Sequence, residues 1–350
     1  MKTEQLDPVE KVSQQPVRDT RTDTTQASSR ALALLTRYGT LLALILIFVL
    51  LSILSPRFLT ADNLSNVLVQ ISTLMVVAAG LTVCVAAGEF DLSVGAVAGL
   101  AGVLATGLLV NVTGNVPLAL IAGLAAGGVI GLLNGILVAV VGLPSLIATL
   151  GMISVVTGLN LWYTKGRAVY GGLPDWFAFP GRGSVFGVPV SILIMIAVVA
   201  ITYVLLDRSA TGRHLYTIGT NRDVARLAGI AVRRIRIFAL VFSGVCAGLA
   251  GVVLASRLGS GQPTAGDHFL MDGLAAVFLG MTAFTMGQAN MKGTVVGVLI
   301  IGVLNNGFNL LGLPYYVQDI AMGTVMIAAV TIAVFKGNIR MPSVTLNFGP

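Results

Sequence analysis

Ten apolar stretches of 17 to 25 residues fill most of the sequence between residues 38 and 335. An α-helix of about 20 apolar residues crosses the hydrocarbon core of a bilayer, so stretches of this length predict transmembrane helices. Prolines and polar residues separate most of them. The pattern predicts an all-α, polytopic membrane protein of about ten transmembrane helices. The predicted spans are residues 38–54, 67–87, 92–112, 117–141, 145–163, 189–206, 237–256, 269–287, 294–311 and 315–335.

Charged residues are scarce and cluster in two polar blocks. Only 10% of the 350 residues are charged, whereas about a quarter are charged in a soluble domain, and this excludes an ordinary water-soluble enzyme. The first block, residues 1–37, mixes both signs with Thr, Ser and Gln and predicts a disordered cytoplasmic tail. A transmembrane domain, residues 38–335, and a cytoplasmic C-terminal tail, residues 336–350, complete the predicted organisation.

The second polar block, residues 207–236, contains seven arginines and two aspartates. Arginines and lysines in short loops favour the cytoplasmic side of a membrane, so this loop is predicted to be cytoplasmic. With ten spans, both termini then lie in the cytoplasm as well. The net charge of +7 does not indicate a nucleic-acid partner, because no basic face of a soluble fold accompanies it.

One part of the sequence is repeated. Residues 131–134 (Gly-Leu-Leu-Asn) and 142–144 (Gly-Leu-Pro) resemble residues 302–305 (Gly-Val-Leu-Asn) and 312–314 (Gly-Leu-Pro), at an offset of about 171. This offset maps spans 2–5 onto spans 7–10, and copies five spans apart cross a membrane in opposite directions. Inverted repeats are typical of transporters and place the substrate path at the repeat interface. The third and eighth spans also fit half-helices or re-entrant segments.

Two acidic residues lie between the second and third spans, in a motif formed by Gly88, Glu89, Asp91, Ser93 and Gly95. Charges inside or beside spans are costly, and they indicate function unless they have a local structural role. Asp and Ser side chains accept hydrogen bonds from the free N–H groups at a helix start. We therefore expect Asp91 and Ser93 to cap the third helix.

Several asparagines interrupt otherwise apolar spans. Their amides fit the wall of a translocation path for a neutral polyol, and they equally fit hydrogen bonds between helices, which are the more common role. The sequence leaves both interpretations open. The candidates for the translocation path are Asn134, Asn160, Asn305, Asn306 and Asn309.

Signatures of catalysis are absent from the sequence. No lysine follows a glycine, so the Gly-Lys pair of a phosphate-binding P-loop cannot occur, and there is no His-Glu-x-x-His motif. Cys84 and Cys246 both lie inside apolar stretches and fit small core residues better than a metal site. We predict a protein that is not an enzyme and that itself binds no cofactor or metal.

The arginine-rich loop contains the most specific motif, which comprises Thr211, Gly212, Arg213, Gly219, Asn221, Ala225 and Gly229. Asn221 is a favourable N-cap and Gly229 a favourable helix stop, so the sequence predicts a helix of about two turns between them. Such a helix fits a contact that transmits motion from another protein. An amphipathic helix held against lipid headgroups is the alternative interpretation.

Four segments resemble the ribose-type permease subunits of bacterial ATP-binding-cassette (ABC) importers, a family that also serves arabinose, xylose and galactose. The resemblance covers nearly all of the chain after the N-terminal tail. It departs from the family pattern at residues 280–290, where the usual Gly-Gly-Thr-Ser run is missing. The matching segments are residues 88–95, residues 134–135 with 142–150, residues 211–230, and residues 255–257 with 260–263.

The resemblance implies a permease subunit of the bacterial inner membrane that translocates a neutral sugar delivered by an external sugar-binding protein. It also implies a second permease copy or paralogue and cytoplasmic ATPase subunits, which use ATP and Mg²⁺. The loop helix would dock in a groove of the ATPase, with Ala225 and Gly229 matching the family spacing. A permease for branched-chain amino acids or nucleosides, and an ion-coupled secondary transporter, are the alternatives.

Overall fold

A computed structural model describes residues 39–285 and 287–335 of the chain, and most of these residues are helical. Each of the ten predicted spans coincides with one helix, although the helix ends differ. The predicted all-α membrane fold is therefore confirmed. The predicted tails lie outside the described residues. The ten helices are α1 (Gly39–Leu54), α2 (Ala61–Ala86), α3 (Val94–Asn111), α4 (Val116–Ile136), α5 (Ser145–Thr164), α7 (Val190–Tyr203), α10 (Val232–Leu258), α11 (Asp267–Gly280), α12 (Met291–Leu310) and α13 (Tyr315–Phe335).

Shorter elements occupy the two ends of this bundle. We call the end that carries residues 209–231 the loop end; it contains α8 (Ala210–Thr220) and α9 (Arg222–Leu227). The hairpin end carries α6 (Phe179–Arg182) and an antiparallel hairpin of β1 (Ser184–Val185) and β2 (Val188–Pro189). A helical 3-10 turn, Asp175–Ala178, precedes α6.

Within residues 39–285 and 287–335, seven helices are long and apolar enough to cross a membrane. They include α4 and α7, together with the π-helical turns Leu137–Val141 and Val204–Arg208 that extend them. Several helices exceed the predicted spans, because hydropathy reports only their apolar part. Helix α2 begins at Ala61, and the first turns of α10 contain arginines. Of the two spans that also fitted half-helices, the third is α3, whose 18 residues are long and apolar enough to cross a membrane. The eighth is α11, whose 14 residues extend about 21 Å at 1.5 Å per residue, too short for a hydrocarbon core of about 30 Å and in agreement with the half-helix alternative.

Helix α11 is short because it begins inside the bundle. The preceding residues, 259–266, run from the hairpin end along α3: Gly261 contacts Val103, and Gly266 contacts Gly95 near the start of α3. Non-helical backbone at membrane depth is tolerated where protein surrounds it. The Nδ2 group of Asn160 accordingly donates to the carbonyl oxygen of Pro263 at 3.3 Å.

The packing of α2 against α10 fits the predicted inverted repeat, which maps the second span onto the seventh. Helices α2 and α10 have 26 and 27 residues and run antiparallel. At the hairpin end, Arg257 Nη1 donates to Val69 O at 3.0 Å, and nearer the loop end Cys84 Sγ donates to Ala239 O at 3.2 Å.

Equivalent glycines follow these two helices at the offset of 171 residues. Gly88 has φ +70° and Gly259 has φ +68°, a left-handed conformation that glycine adopts without strain. The next equivalent pair, Gly95 and Gly266, is in mutual contact, since a Cβ atom on Gly95 would lie 2.7 Å from the Gly266 carbonyl oxygen. Contact between equivalent residues is the arrangement that a pseudo-twofold relation between the two repeats would give.

Helix α4 packs closely along α10 through small residues. A Cβ atom on Gly127 would overlap the Gly244 carbonyl oxygen, and one on Gly131 would lie 2.9 Å from the Cα of Val241. Small residues let backbones approach where lipid offers no hydrophobic drive for association. The spacing of Gly127 and Gly131 therefore serves packing within the chain.

Candidate functional site

The predicted loop helix is present at the loop end as α9. Asn221 Oδ1 accepts hydrogen bonds from the N–H groups of Asp223 (2.9 Å) and Val224 (3.1 Å), which caps the helix. Gly229 follows its end with φ +74°, and the Ile230 N–H donates back to Ala225 O at 3.0 Å. Asn221 and Gly229 therefore have the start and stop positions that the sequence predicts.

Replacing Gly229 by alanine should loosen the end of α9. No atom of the described residues lies within 4 Å of a Cβ placed there, so the cost is conformational, about 1–2 kcal/mol for a β-carbon in the left-handed region. We expect faster proteolysis or hydrogen exchange across residues 222–230. Gly229→Asn should retain most of the protection, because asparagine tolerates this region better; equal protection in the alanine variant and the parent would refute the capping role.

Thr211, Gly212 and Arg213 lie in the first turn of α8, a helix that the sequence analysis missed. Ser209 caps this helix by accepting from the Gly212 N–H at 3.0 Å, and Arg213 is exposed. Gly219, near the other end of α8, touches the end of α2: a Cβ atom on Gly219 would overlap the Ala86 carbonyl oxygen. Helix α8 thus rests directly on the backbone that leads into the Glu89 motif.

Glu89 is the centre of an ion-pair cluster that joins the loop to the bundle. Its carboxylate is 1% exposed, and Oε1 accepts from Arg222 Nη2 at 2.8 Å and from Arg236 Nε at 2.5 Å. Arg222 lies in the first turn of α9 and Arg236 near the start of α10. One buried carboxylate therefore binds α9, α10 and the end of α2 together.

The two arginines of this cluster are in different environments. The Arg236 side chain is 10% exposed, whereas that of Arg222 is 41% exposed and also approaches the Gly88 carbonyl oxygen at 3.4 Å. Glu89 Oε2 is buried and has no hydrogen-bond partner within residues 39–285 and 287–335. Charge-assisted hydrogen bonds are stronger in a buried site. The buried pair Glu89–Arg236 is therefore the rigid part of the cluster, and Arg222 is its solvent-accessible part.

A second contact links α8 to the segment before α12. Tyr216 Oη donates to the Ala289 carbonyl oxygen at 3.0 Å. Burial of the phenol, with a smaller contribution from the Asp207 carboxylate, raises the pKa of Tyr216 to about 12. The hydroxyl therefore stays protonated at neutral pH and keeps its role as donor.

Asp91 and Ser93 form a network beside Glu89 and separate from it. Asp91 Oδ1 accepts from the Ser93 N–H at 3.1 Å and from Ser93 Oγ at 2.6 Å, and Ser93 Oγ accepts from Asn134 Nδ2 at 3.0 Å. Among the described residues, neither Asp91 nor Ser93 makes a side-chain bond to an N–H group of α3 itself, because Asp91 accepts from the N–H of Ser93, which precedes the helix. The expected capping role of both residues is therefore corrected. The Ser93 hydroxyl instead donates to Asp91 and accepts from Asn134, and so links these two side chains.

The outward face of α9 exposes two apolar side chains beside the charged pair Asp223 and Arg226. The Leu227 side chain is 89% exposed and that of Val224 is 54% exposed, whereas Ala225 is fully buried against Ile218 and Val232. Ala225 therefore packs against the permease itself. The apolar side chains that α9 exposes are those of Val224 and Leu227. A six-residue helix has no apolar period long enough to reveal this orientation from sequence.

The five candidate asparagines do not come together. Asn134 and Asn160 bond to the segments that precede α3 and α11, respectively, while the other three lie on α12. On α12, Asn306 and Asn63 exchange two amide hydrogen bonds of 2.9 and 3.0 Å, and Asn309 Oδ1 accepts from Gln318 at 3.0 Å. Each described bond joins neighbouring parts of the bundle.

Sequence reasoning selected Glu89 and the loop without connecting them. Arg222 and Arg236 are 133 and 147 residues from Glu89 along the chain. The available signal was a lone glutamate beside a span in a protein whose arginines cluster in one loop. A buried charge is strongly destabilising unless an opposite charge pairs with it, so a buried glutamate needs an arginine or lysine partner.

Comparison with known proteins covers most of the chain. Residues 63–330 match the family described as "Branched-chain amino acid transport system / permease component". The chain is 38% identical to the ribose import permease protein RbsC of Bacillus subtilis (strain 168) over 297 residues, which cover 85% of this chain and 92% of the relative. No solved structure gives a significant match.

Two further relatives have comparable coverage. The D-allose transport system permease protein AlsC of Escherichia coli (strain K12) is 36% identical over 85% of this chain and 91% of its own length. The L-arabinose transport system permease protein AraH of the same strain is 35% identical over 86% and 91%, respectively. With its helical membrane fold and these matches over most of its length, the chain belongs to the branched-chain amino acid transport system / permease component family.

Proposed function

We propose that this chain is the membrane-spanning permease subunit of an ABC importer that translocates a neutral sugar. The observation that carries the proposal is the similarity, over most of the chain, to permeases named for ribose, allose and arabinose. The family description names branched-chain amino acids, but these individual relatives favour a sugar. The chain performs transport without hydrolysing ATP, because it has no Gly-Lys pair for a P-loop.

The partners in this proposal are two cytoplasmic ATPase subunits, an external sugar-binding protein and a second permease copy or paralogue. The ATPases bind ATP and Mg²⁺, and the permease contributes the path through the bilayer. Arginines concentrated in residues 208–236 support a cytoplasmic loop end. The hairpin end then faces the binding protein, and both termini lie in the cytoplasm of a bacterial inner membrane.

We place the ATPase contact on the two exposed apolar side chains of α9. Leu227 and Val224 project from a short capped helix that is held to the bundle through Ala225. A partner that covers both side chains gains the hydrophobic stabilisation of their burial, about 1.5–3 kcal/mol for a fully buried leucine. A lipid surface is the alternative occupant, and the binding experiment below distinguishes the two.

Leu227→Asp should release the ATPase from the permease. Loss of the buried apolar contact and the cost of burying a carboxylate together predict at least a tenfold weaker complex. Copurification of the ATPase with the detergent-solubilised permease measures this. Leu227→Met is the control, because it conserves volume and apolarity. Undiminished copurification with the aspartate variant would place the docking contact elsewhere.

Force applied to α9 reaches the bundle by three short routes. Arg222 transmits it to Glu89 and the α2–α3 connection, Tyr216 to the segment before α12, and Gly219 to the end of α2. The ion-pair cluster also holds α10, which extends the full height of the bundle. Closure of the ATPases can therefore shift both repeats, and sugar biases the cycle only by binding the two states with different affinity.

A further inference from the structure

The connection between α5 and α7, residues 165–189, carries an excess of basic side chains. We call it the outer loop; it contains Lys165, Arg167 and Arg182 against the single acid Asp175. At the hairpin end, which faces outside in the proposed function, lysine and arginine are usually scarce in short loops. All three basic residues are exposed, and none of them pairs with a carboxylate among the described residues. The outer loop therefore presents positive charge that the orientation of the chain disfavours.

The outer loop is fastened over the end of α10, the helix that packs against α2, α3 and α4. The Gly181 N–H donates to Ser256 Oγ at 2.9 Å, and Arg182 Nε donates to the Arg257 carbonyl oxygen at 2.6 Å. Ser256 is fully buried. Because α10 is surrounded by other helices, its end faces the aqueous phase and not the lipid at the rim. A water-soluble protein can therefore reach this loop.

Phe186, at the tip of the β1–β2 hairpin, is in an unfavourable conformation that no internal contact offsets. Phe186 and Gly187 form the two-residue turn, and Phe186 has φ +51°. A bulky residue is rare in this left-handed region, at a cost of about 1–2 kcal/mol. Its side chain is fully exposed, so it buries no apolar area within the described residues. Strained residues are typical of binding sites, and aromatic rings are enriched in the cores of protein–protein interfaces.

The outer loop is also joined to the segment that leads into α11. Val169 and Gly261 exchange two backbone hydrogen bonds of 2.8 Å, in which the N–H group of each donates to the carbonyl oxygen of the other. Gly261 lies near the start of residues 259–266, which run along α3 to the contact between Gly266 and Gly95. Movement of the outer loop can therefore reach the start of α11 through backbone alone.

At the opposite end of the bundle, the loop that contains α8 and α9 meets the equivalent segment. Gly88, which corresponds to Gly259 at the offset of 171, touches α8, since a Cβ atom on Gly88 would lie 3.2 Å from the Gly219 Cα. Gly88 begins the non-helical segment that contains Glu89 and leads to Gly95. Each half of the chain thus has one non-helical segment whose outer end is held by a loop, and the two segments end side by side.

We propose that the outer loop is the docking surface for the external sugar-binding protein and that it conveys docking to the ATPase side. The partner that fits has carboxylates, which pair with Arg167 and Arg182, and an apolar recess that buries the Phe186 ring. The Val169–Gly261 bridge passes the movement to the two segments and so to the ion-pair cluster. The inference rests on the proposed function for the identity of the partner, and it adds the residues that bind it and the route.

Binding of the loaded sugar-binding protein to the permease–ATPase complex in lipid nanodiscs tests the docking surface. Phe186→Asn should weaken binding at least tenfold because the aromatic anchor is lost, although asparagine fits the left-handed turn better. Arg167→Glu should also weaken binding and reduce its dependence on salt. Val112→Asn is the matched control, since Val112 is an exposed apolar residue at the end of α3, and it should bind normally.

Unchanged affinity in Phe186→Asn, or binding that salt does not alter, would overturn the docking surface. No binding by the unaltered complex would instead refute the proposed function.

ATP hydrolysis by the same complex tests the route. Val169→Pro removes the N–H group that donates to Gly261, whereas Val169→Ala keeps both hydrogen bonds. With saturating loaded binding protein, we expect the stimulation of hydrolysis to fall at least fivefold in the proline variant and to stay normal in the alanine variant, while both still bind the protein. Normal stimulation in Val169→Pro, or loss of binding together with stimulation, would overturn the proposed route.

Discussion

Glu89→Gln is expected to reduce ATP-driven sugar uptake at least tenfold while leaving the ATPase bound to the permease. The substitution removes the charge that Arg222 and Arg236 share, and Arg236 is then buried without a counter-ion. Removing one member of a buried ion pair costs about 3–5 kcal/mol. Helix α9 keeps its apolar anchor through Ala225, so docking survives and the transmission of movement is lost. Uptake and ATP hydrolysis by the same reconstituted complex measure the two effects separately.

The charge pair Asp223–Arg226 on α9 supplies a matched control. Its side chains are 83% and 65% exposed, and an exposed pair contributes only about 0–1 kcal/mol. Asp223→Asn should therefore transport as the parent does. Arg222→Ala should give an intermediate loss, because Glu89 retains Arg236. Normal uptake coupled to normal ATP hydrolysis in Glu89→Gln would show that the cluster does not transmit the movement.

Gly127→Val should prevent the accumulation of folded permease. The added side chain would meet the Gly244 carbonyl oxygen and the Cα of Gly248, both on the backbone of α10. A backbone atom cannot move aside as a flexible side chain does, so α4 and α10 must separate and lose their packing, a loss of several kcal/mol. Fluorescence-detected size-exclusion chromatography of detergent extracts would show aggregate or no peak.

Gly151→Val on α5 is the control for this substitution. It makes the same chemical change inside a helix, but within residues 39–285 and 287–335 no atom lies within 4 Å of a Cβ atom at Gly151. The variant should therefore elute as the parent does. If both valine variants behave alike, the close approach of α4 and α10 is not a determinant of folding.

Apolar length was sufficient to predict the ten long helices, and an internal match predicted an inverted order that the antiparallel packing of α2 and α10 fits. Gly142 and Gly312, which the repeat aligns approximately, both have positive φ and precede α5 and α13. The repeat could be recognised because such backbone positions demand glycine. Helix ends were harder to predict from apolar length, because polar turns such as those at the start of α10 are helical without being apolar.

The short α11 and the Glu89 cluster required the three-dimensional structure. Residues 259–266 contain few charges, and nothing in their composition shows that they run along α3 before a helix begins. The partners of Glu89 are separated from it by more than a hundred residues, and a buried pair at that separation leaves no periodic signal. Local patterns specify elements, whereas the coupling contacts depend on how those elements pack.

Uptake of radiolabelled ribose into proteoliposomes tests the central claim most directly. The liposomes would contain the permease and its ATPase subunits, with ATP enclosed and the loaded sugar-binding protein outside; allose and arabinose would be tried in parallel. The account predicts accumulation of at least one sugar that requires ATP, the ATPases and the binding protein together. Accumulation driven by a proton or sodium gradient in liposomes that contain the permease alone would contradict it.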